Sequence, residues 1–432
     1  MNLSYFSKKF DEHFSLLNER ELGISAGFIQ RTARKISPFV LLKALCLSFT
    51  QLYKSYNQIA ITISIIKGLT VSKQAVAKRI GLPVVNLCKS TLAALLSKQV
   101  IYSEECYTIF SKFKRVLVQD STSIHLPLNM AEKFPGSRNR FNIQYAVAKI
   151  QSIIDLKKNS FIDLIITPFT KNDQAVSGDI IKILNPGDLV IRDLGYFVLP
   201  VFKKIADRNA FFISRLRNDI TLLDKKMNRL KLIKELKRFN KFDQWVYTGV
   251  KEKLFIRVVA IPLPKQIADE RRRKLRSNRD LRLNPSKERF ELCSWAIFIT
   301  NVSKDIWSAE QIKEIYKLRW RIEIIFKAWK SHFKLTQFES TSNQYIIETM
   351  IYARLIYILI FNTVLFVPFF YKSRDKNKKG ISLLKLSKYF SHDIISYLEC
   401  ENTSFSSSLI SYFCSYEKRK KRKNYLQLLQ LS

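Results

Sequence analysis

Three carboxylates stand out because of the segments that carry them. Asp120 and Asp193 each end a short apolar run, VLVQD and LVIRD. This pattern predicts that both lie at the carboxyl ends of strands, where α/β sheets gather their sites. Glu323 lies in YKLRWRIEIIFKAWK, which predicts a helix. Carboxylate oxygens are the ligands that hard divalent cations prefer. Either aspartate taken alone is as well explained by a turn or a helix cap.

The predicted helix around Glu323 has one polar face. At about 100° per residue, five polar side chains fall within an arc of roughly 80°. They are Tyr316, Arg319, Glu323, Lys327 and Lys330. Apolar residues occupy a neighbouring arc, so we expect one side to pack on a sheet while the other presents a carboxylate among cations. Ser308 and Gln311 predict a capping box at the helix start. The alternative is a solvated face with an Arg319/Glu323 ion pair.

Short apolar runs after Arg115 predict the sheet that must position these residues. Strands are expected in VLVQD (116–120), NIQYAVAKIQSII (142–154), FIDLIIT (161–167), DLVIRD (188–193) and FFISRL (211–216). Helices are expected over 173–184 and 196–209. LCSWAIFITN (292–301) adds a strand, followed by a helix over 308–330. This order is typical of an α/β fold with an RNase H-like mixed sheet.

The sequence predicts four regions. Residues 1–110 are expected to form a helical N-terminal DNA-binding domain, and 111–215 with 291–345 the RNase H-like core. Residues 216–290 hold 22 Lys/Arg and 9 Asp/Glu, a net charge of +13, and are expected to be a basic, β-rich insertion. Residues 346–432 are expected to be a helical C-terminal region.

The charge indicates a polyanionic partner. Lys and Arg number 74 against 36 acids, a net charge of +38 over 432 residues, which favours nucleic acid. The six cysteines include no CxxC pair, which disfavours zinc sites and a secreted disulfide scaffold. The N-terminus lacks the apolar core of a signal peptide, so we expect a cytoplasmic protein. The uncharged stretch 355–371 favours a buried core helix over a membrane span.

One segment of the N-terminal region resembles a recognition helix. Ser72 is expected to cap a short amphipathic helix, KQAVAKRI, which buries Val76 and Ile80 and presents Lys73 and Arg79. An ordinary solvated helix face explains the same pattern equally well.

The motifs together resemble a known family. YKLRWRIEIIFKAWK is similar to the Y-x2-R-x3-E-x6-K signature of bacterial DDE transposases of the insertion-sequence-four group, which includes relatives of the transposon-five transposase. VLVQDSTSIHLP resembles the first-aspartate strand of that family, and IRDLGYF its Asp-x-Gly-Tyr/Phe motif. The resemblance covers about residues 115–345.

The resemblance implies an activity and its site. Asp120, Asp193 and Glu323 would bind Mg²⁺, with Mn²⁺ able to substitute, for phosphodiester cleavage and strand transfer. Tyr316, Arg319 and Lys330 would hold phosphates at the transposon end, and Lys327 is a weaker candidate. Trp295 would stack a flipped base during hairpin formation, or else be a core tryptophan. The resemblance places no residue on the insertion, but the run Arg271, Arg272, Arg273 and Lys274 is expected to bind DNA if the insertion grips it.

The resemblance also implies partners. These are double-stranded DNA, as terminal inverted repeats and target, and a second copy of the chain in a synaptic complex, without a membrane. The protein would be nucleoid-associated in a bacterial cytoplasm. The basic tail 418–423 binds DNA non-specifically or is simply solvated. Two alternatives stay open: a metal-dependent nuclease without strand transfer, and a non-catalytic DNA-binding relic or repressor.

Overall fold

The computed structural model of the chain describes residues 11–30, 36–50, 55–98, 108–239, 241–249, 253–277, 285–338, 343–377, 380–392 and 412–414. Within these ranges the protein is a mixed α/β structure, in which helices pack on both faces of one sheet. The basic tail at 418–423 lies outside the described residues.

Ten strands form the sheet in the described part of the chain. They are β1 (Val116–Leu126), β2 (Pro135–Arg138), β3 (Gln144–Asp155), β4 (Ser160–Pro168), β5 (Leu189–Arg192), β6 (Phe211–Arg215), β7 (Leu222–Leu223), β8 (Phe242–Thr248), β9 (Leu254–Pro262) and β10 (Trp295–Thr300). The order is β2–β3–β1–β5–β6–β10–β9–β8–β7, and β4 also pairs with β3. β5 is parallel to β1 and β6, whereas the other pairs are antiparallel.

The helices fall into three groups along the chain. Before the sheet come α1 (Glu19–Ser25), α2 (Pro38–Thr50), α3 (Tyr56–Lys67), α4 (Lys73–Ala77) and α5 (Leu82–Ser97). Between strands lie α6 (Leu199–Asp207), α7 (Leu232–Arg238), α8 (Lys265–Arg276) and α9 (Lys287–Leu292). After the last strand come α10 (Ala309–Tyr316), α11 (Trp320–Ser331), α12 (Gln344–Phe361), α13 (Val367–Asn377) and α14 (Leu383–His392).

Strand β1 separates two hydrophobic cores because successive side chains of a strand point to opposite faces. Val118 packs in the core that contains residues of α11, α12 and the N-terminal helices. Leu117 packs in the other core, with Phe202 of α6 and Ile256 of β9. Strands from the basic segment 216–290 therefore continue the same sheet and share one of its cores.

The apolar C-terminal segment is a core helix. Residues Gln344–Ser373 form 30 helical residues that are long and apolar enough, by length and composition, to cross a membrane. However, 94% of the apolar window is buried inside the protein. Helix α12 packs against α5 and α2. This burial agrees with the core helix that the sequence favours over a membrane span.

Two helix predictions were wrong in their extent. In the predicted helix 173–184 only a 3₁₀ helix, Ser177–Lys182, forms, after a turn in which Asn172 Oδ1 accepts a hydrogen bond from the Ala175 amide at 2.9 Å. The predicted helix 308–330 is interrupted by a 3₁₀ turn at Lys317–Arg319. A 3₁₀ turn advances about 120° per residue rather than about 100°, so the faces of α10 and α11 are out of phase.

The N-terminal caps follow the sequence more closely than the helix lengths do. The Ser72 hydroxyl accepts a hydrogen bond from the Ala75 amide at 3.3 Å, which confirms the predicted cap. Val76 and Ile80 are buried as expected. The helix itself, α4, has only five residues, because Gly81 and Pro83 begin the next helix. Contact between this element and DNA stays a prediction.

A buried arginine joins strands β8 and β9 to the start of α10. Arg257 is fully buried and pairs with Asp243 through two hydrogen bonds, of 2.7 and 2.9 Å. Its Nη1 atom donates to the carbonyl oxygens of Val302, Ser303 and Trp307. This guanidinium therefore holds the loop before α10, the helix that leads through the 3₁₀ turn to α11 and Glu323.

We expect Arg257→Ala to lower the free energy of unfolding by about 3–5 kcal/mol, because it leaves a carboxylate and three carbonyl oxygens without their partner. Urea denaturation followed by circular dichroism measures this change. Lys304→Ala is the control, since Lys304 is an exposed cation 3.9 Å from the same carboxylate. Equal and small effects of both substitutions would contradict this structural role of Arg257.

Candidate active site

The two aspartates lie side by side because strands β1 and β5 are parallel. Gln119 pairs with Arg192 in the last step of that pairing, so Asp120 and Asp193 follow on neighbouring strands. Asp193 directly follows β5, as predicted. Asp120 is not at the end of its strand, which corrects the prediction. It pairs with Ser152, and β1 continues beside β3 to Leu126 because that antiparallel pairing does not need β5.

An ion pair fixes the register of these two strands at their other ends. Arg115 contacts Asp188 through Nε at 3.0 Å and Nη2 at 2.5 Å. Asp188 is fully buried and also accepts a hydrogen bond from the Asn185 amide. A two-point arginine–carboxylate contact is geometrically specific, so this pair aligns the strands that carry the two aspartates.

One guanidinium contacts all three carboxylates. Arg319 lies 2.9 Å from Asp120 Oδ2, 3.6 Å from Asp193 Oδ1 and 2.5 Å from Glu323 Oε1. These acids are 73 and 130 positions apart in the sequence. Arg319 ends the 3₁₀ turn that precedes α11, and Glu323 lies one helical turn further on. The structure thus brings the three acids together around a cation.

Burial and charge shift the pKa values within this cluster. Burial raises the pKa of Asp120 to about 6, while Arg319 and the Ser121 amide act in the opposite direction. Burial alone lowers the pKa of Arg319, but the surrounding carboxylates and Tyr316 outweigh this effect and the pKa is raised. The cluster therefore depends on an arginine that stays charged.

The other residues of the helix signature lie at different distances from the acids. Tyr316 is buried against Phe298, and its hydroxyl donates to Asp193 Oδ1 at 3.5 Å. Burial raises its pKa. Lys330 is half-buried on α11, about 10 Å along the axis from Glu323 on the same face. Lys327 is exposed.

The three acids supply only oxygen donors, which suit a hard divalent cation. As placed, no three of the histidine, cysteine, aspartate and glutamate side chains in the described ranges lie close enough to hold a metal ion. Here the Arg319 guanidinium lies among the carboxylates. The residue types fit metal binding, provided that Arg319 moves aside.

Sequence reasoning missed a fourth acid near the site, Asp173. Its Oδ1 atom accepts hydrogen bonds from Ser121 at 2.8 Å and from Lys149 at 2.7 Å. A Cβ atom at Gly195 would lie 3.2 Å from its Oδ2 atom, so glycine allows this close approach. Asp173 therefore links the strand of Asp120 to the loop after Asp193. No local pattern indicates this, because the partners come from four separate segments.

Trp295 and part of the basic run line a cavity that Leu194 also borders. The cavity has a volume of about 400 Å³, and its lining includes Trp295, Arg271, Lys274 and Leu194, the residue after Asp193. Arg271 donates to the Trp295 carbonyl at 3.0 Å. Arg272 points elsewhere, to Ser294 Oγ and the Phe290 carbonyl, and Arg273 is exposed. Two of the four cations in the run thus line this cavity.

Comparison with known proteins identifies the family. Residues 111–359, more than half of the chain, match the transposase DDE domain. The chain is 28% identical over 409 residues to the transposase for insertion sequence element IS231B of Bacillus thuringiensis subsp. berliner, covering 89% of this chain and 84% of the relative. It is 30% identical over 388 residues to the IS231D transposase of Bacillus thuringiensis subsp. finitimus, with coverages of 84% and 80%.

A clostridial relative matches over a similar share of both chains. The chain is 28% identical over 416 residues to the transposase for IS1151 of Clostridium perfringens, covering 90% of this chain and 87% of that protein. The chain therefore belongs to the DDE transposases, enzymes that act on DNA and use divalent metal ions. This confirms the resemblance to transposases of bacterial insertion sequences.

We expect Arg319→Gln to lower the melting temperature of the metal-free protein more at pH 8 than at pH 5. The pKa of Asp120, about 6, is raised above its usual value of 3.8. Ionising this carboxyl therefore costs stability as the pH rises through 6, and Arg319 offsets that cost. Differential scanning calorimetry at both pH values measures the change.

The control for this experiment is Lys327→Gln, which removes an exposed cation from the same helix. It should change the melting temperature little at either pH. A pH-independent loss in Arg319→Gln would show that Arg319 acts through packing rather than through the acids.

Proposed function

We propose that this chain cuts DNA at the ends of its insertion sequence and joins the ends to target DNA by hydrolysis and transesterification. Asp120, Asp193 and Glu323 are the catalytic carboxylates of this proposal. The observation that carries it is the contact of all three with the single guanidinium of Arg319. Acids so far apart in sequence meet at one cation because the fold gathers them.

The three acids would hold Mg²⁺, or Mn²⁺ in its place. Their donors are carboxylate oxygens, and two divalent ions supply an activated attacking oxygen and neutralise charge on the phosphoryl oxygens. Asp120 is the most enclosed of the three, with 15% of its side chain exposed, so it would anchor the site. Asp193 and Glu323 are more open to substrate.

Arg319 would alternate between the acids and the DNA. While the carboxylates lack another cation, its guanidinium neutralises them. When it leaves them, the same fork fits a DNA phosphate. Lys330 lies on the same face of α11 as Glu323, about 10 Å along the axis, where it would meet a second phosphate. In this scheme Tyr316 orients Asp193 through its hydroxyl and contributes to phosphate binding only at the edge of the site.

The sheet order supports an RNase H-like core at 111–215 and 291–345. Strands β4, β3 and β1 form an antiparallel meander, followed across β1 by β5 and β6, both parallel to β1. Residues 216–290 would be an insertion, since they leave the core after β6 and return at β10. The helices of 1–110 would bind DNA, and 346–432 would complete the core and the dimer contacts.

The cavity at Trp295 fits a base displaced from the duplex. Its volume of about 400 Å³ exceeds that of one base, and its lining combines an aromatic ring with Arg215, Arg271, Lys274 and Arg289. Cations beside an aromatic ring suit a stacked base and its phosphate. We therefore assign Trp295 to base stacking, Arg271 and Lys274 to the adjoining phosphates, and Arg272 and Arg273 to the outer DNA surface.

The partners follow from this activity. The DNA would be double-stranded, as the terminal inverted repeats and a target site, and the net charge of +38 suits its phosphates. Two copies of the chain would pair the two ends. The cleavage and joining of DNA would take place in the bacterial cytoplasm at the nucleoid, without a membrane.

We expect Asp120→Asn, Asp193→Asn and Glu323→Gln each to reduce cleavage at least about 10²-fold while leaving end binding intact. Each removes a carboxylate that is worth several kcal/mol in the transition state. Binding persists because carboxylates repel phosphates in the absence of metal. The assay follows Mg²⁺-dependent nicking and strand transfer on a plasmid that carries the inverted repeats flanking its gene.

Asp207→Asn, an exposed acid at the end of α6, is the control and should cleave normally. Full cleavage by any of the three site variants would remove that residue from the proposal. If the natural protein cleaves DNA without strand transfer, it is a nuclease. If it binds the ends without cleaving them, it is a repressor.

We expect the Trp295→Ala protein to nick the ends at a normal rate, because nicking needs no displaced base. It should fail to form the DNA hairpin, which does need one. Trp295→Phe should restore hairpins in part, since it keeps a ring for stacking. Denaturing gels of end-labelled DNA separate the two products. If Trp295→Ala loses its fold, with a cost of about 3–5 kcal/mol, the ring belongs to the core instead.

A further inference from the structure

The turn between β2 and β3 exposes a cluster of apolar side chains. Phe141 is 67% exposed, Ile143 50% and Tyr145 41%. Arg138 and Arg140 beside them are also exposed. We call residues 137–145 the hairpin tip. Clustered apolar exposure of this kind marks a binding surface rather than ordinary surface composition.

The hairpin tip has a fixed shape. Asn139 Oδ1 accepts hydrogen bonds from the amides of Phe141 and Ile143, at 2.9 and 3.0 Å. Arg138 donates to Asn142 Oδ1 at 2.9 Å, and Asn142 has a φ of 61°. These bonds hold Phe141 at the apex before any partner arrives, which reduces the ordering cost of binding.

The base of the hairpin is equally well defined. A Cβ atom at Gly136 would lie 2.7 Å from Val147 Cγ2 and 2.8 Å from the Tyr145 carbonyl oxygen. Only glycine allows β2 to approach β3 this closely. The exposed rings are therefore carried by a rigid pair of strands and not by a loose loop.

The positive charge of the hairpin favours an anionic partner. No acid occurs between Lys133 and Ile154, whereas Arg138, Arg140 and Lys149 do. Arg140 lies over the Phe141 ring at 4.6 Å, so cation and ring form one unit. Apolar wedges flanked by arginine and asparagine are a recurring means of entering the minor groove of DNA. Two copies of the tip would instead bring like charges together.

We propose that Phe141 inserts as an apolar wedge between base pairs of duplex DNA, with Arg138 and Arg140 in the minor groove. The inference rests on the proposed function for the identity of the DNA. Strand β1 extends six residues from Asp120 to Leu126, about 20 Å, and the tip lies roughly 10 Å beyond. With the duplex axis along β1, at 3.4 Å per base pair, the wedge would enter about nine base pairs from the cleaved bond.

The test is fluorescence of 2-aminopurine, which increases when the base is unstacked. The probe is a duplex copied from the DNA that flanks the gene, with 2-aminopurine at successive positions from the cleaved bond and without metal. We expect a severalfold rise confined to one step about nine base pairs away. Phe141→Ala should abolish it and weaken binding about tenfold, and Phe141→Leu should retain it.

Phe239→Ala is the matched control. Phe239 is another exposed phenylalanine, 42% exposed, with the Arg238 guanidinium 5.2 Å from its ring. It should bind and unstack DNA like the natural protein. Equal effects of the two alanine substitutions would show that the loss is not specific to the tip and would overturn the proposal.

Two further outcomes would overturn it. One is a bound duplex whose fluorescence is flat at every position. The other is sedimentation showing, without DNA, a dimer that Phe141→Ala dissociates, because the tip would then be a protein interface. Nicking with Mg²⁺ is measured on the same duplex. A flat signal with normal nicking therefore removes only the wedge, whereas unstacking without nicking removes only the proposed cleavage.

Discussion

The arrangement depends on the repulsion of three carboxylates and its neutralisation by Arg319. Asp120, Asp193 and Glu323 would not gather in a partly buried place without a cation, because their negative charges repel one another. The guanidinium is a suitable counter-charge, since its several donors can face three acids at once. It lies in the turn that leads directly into the helix of Glu323, so the site assembles only when that helix docks on the sheet.

Polar contacts hold the elements that bring the acids to this point. Arg115 and Asp188 align the parallel strands, and Asp173 joins the strand of Asp120 to the loop after Asp193. Arg257 holds the loop that leads to the helix of Glu323. Such contacts are directional, so they specify relative positions that apolar packing alone leaves adjustable.

Acids and cations with aromatic rings lie in different places in the structure. Acids gather at one enclosed point, whereas the cavity lined by Trp295 and the hairpin tip around Phe141 both combine cations with aromatic rings. A polyanionic duplex is attracted by these cations, whereas the carboxylates around Arg319 repel its phosphates in the absence of metal. In the proposals above, Trp295 would strain the duplex near the cut, and Phe141 would grip the same duplex at a second point further along its axis.

Local features were accessible from the sequence because they depend on neighbouring residues. The Ser308/Gln311 capping box, the Ser72 cap and the apolar strands are examples, and the family motifs singled out the three acids for the proposed site. The convergence on Arg319, the link through Asp173 and the 3₁₀ turn before α11 were decided by the tertiary structure. The partners in these contacts are tens to hundreds of residues apart, and no local pattern records which distant side chain will face which. Asp120 illustrates both cases, since its strand was predicted, but its position within a longer strand depends on pairing with β3.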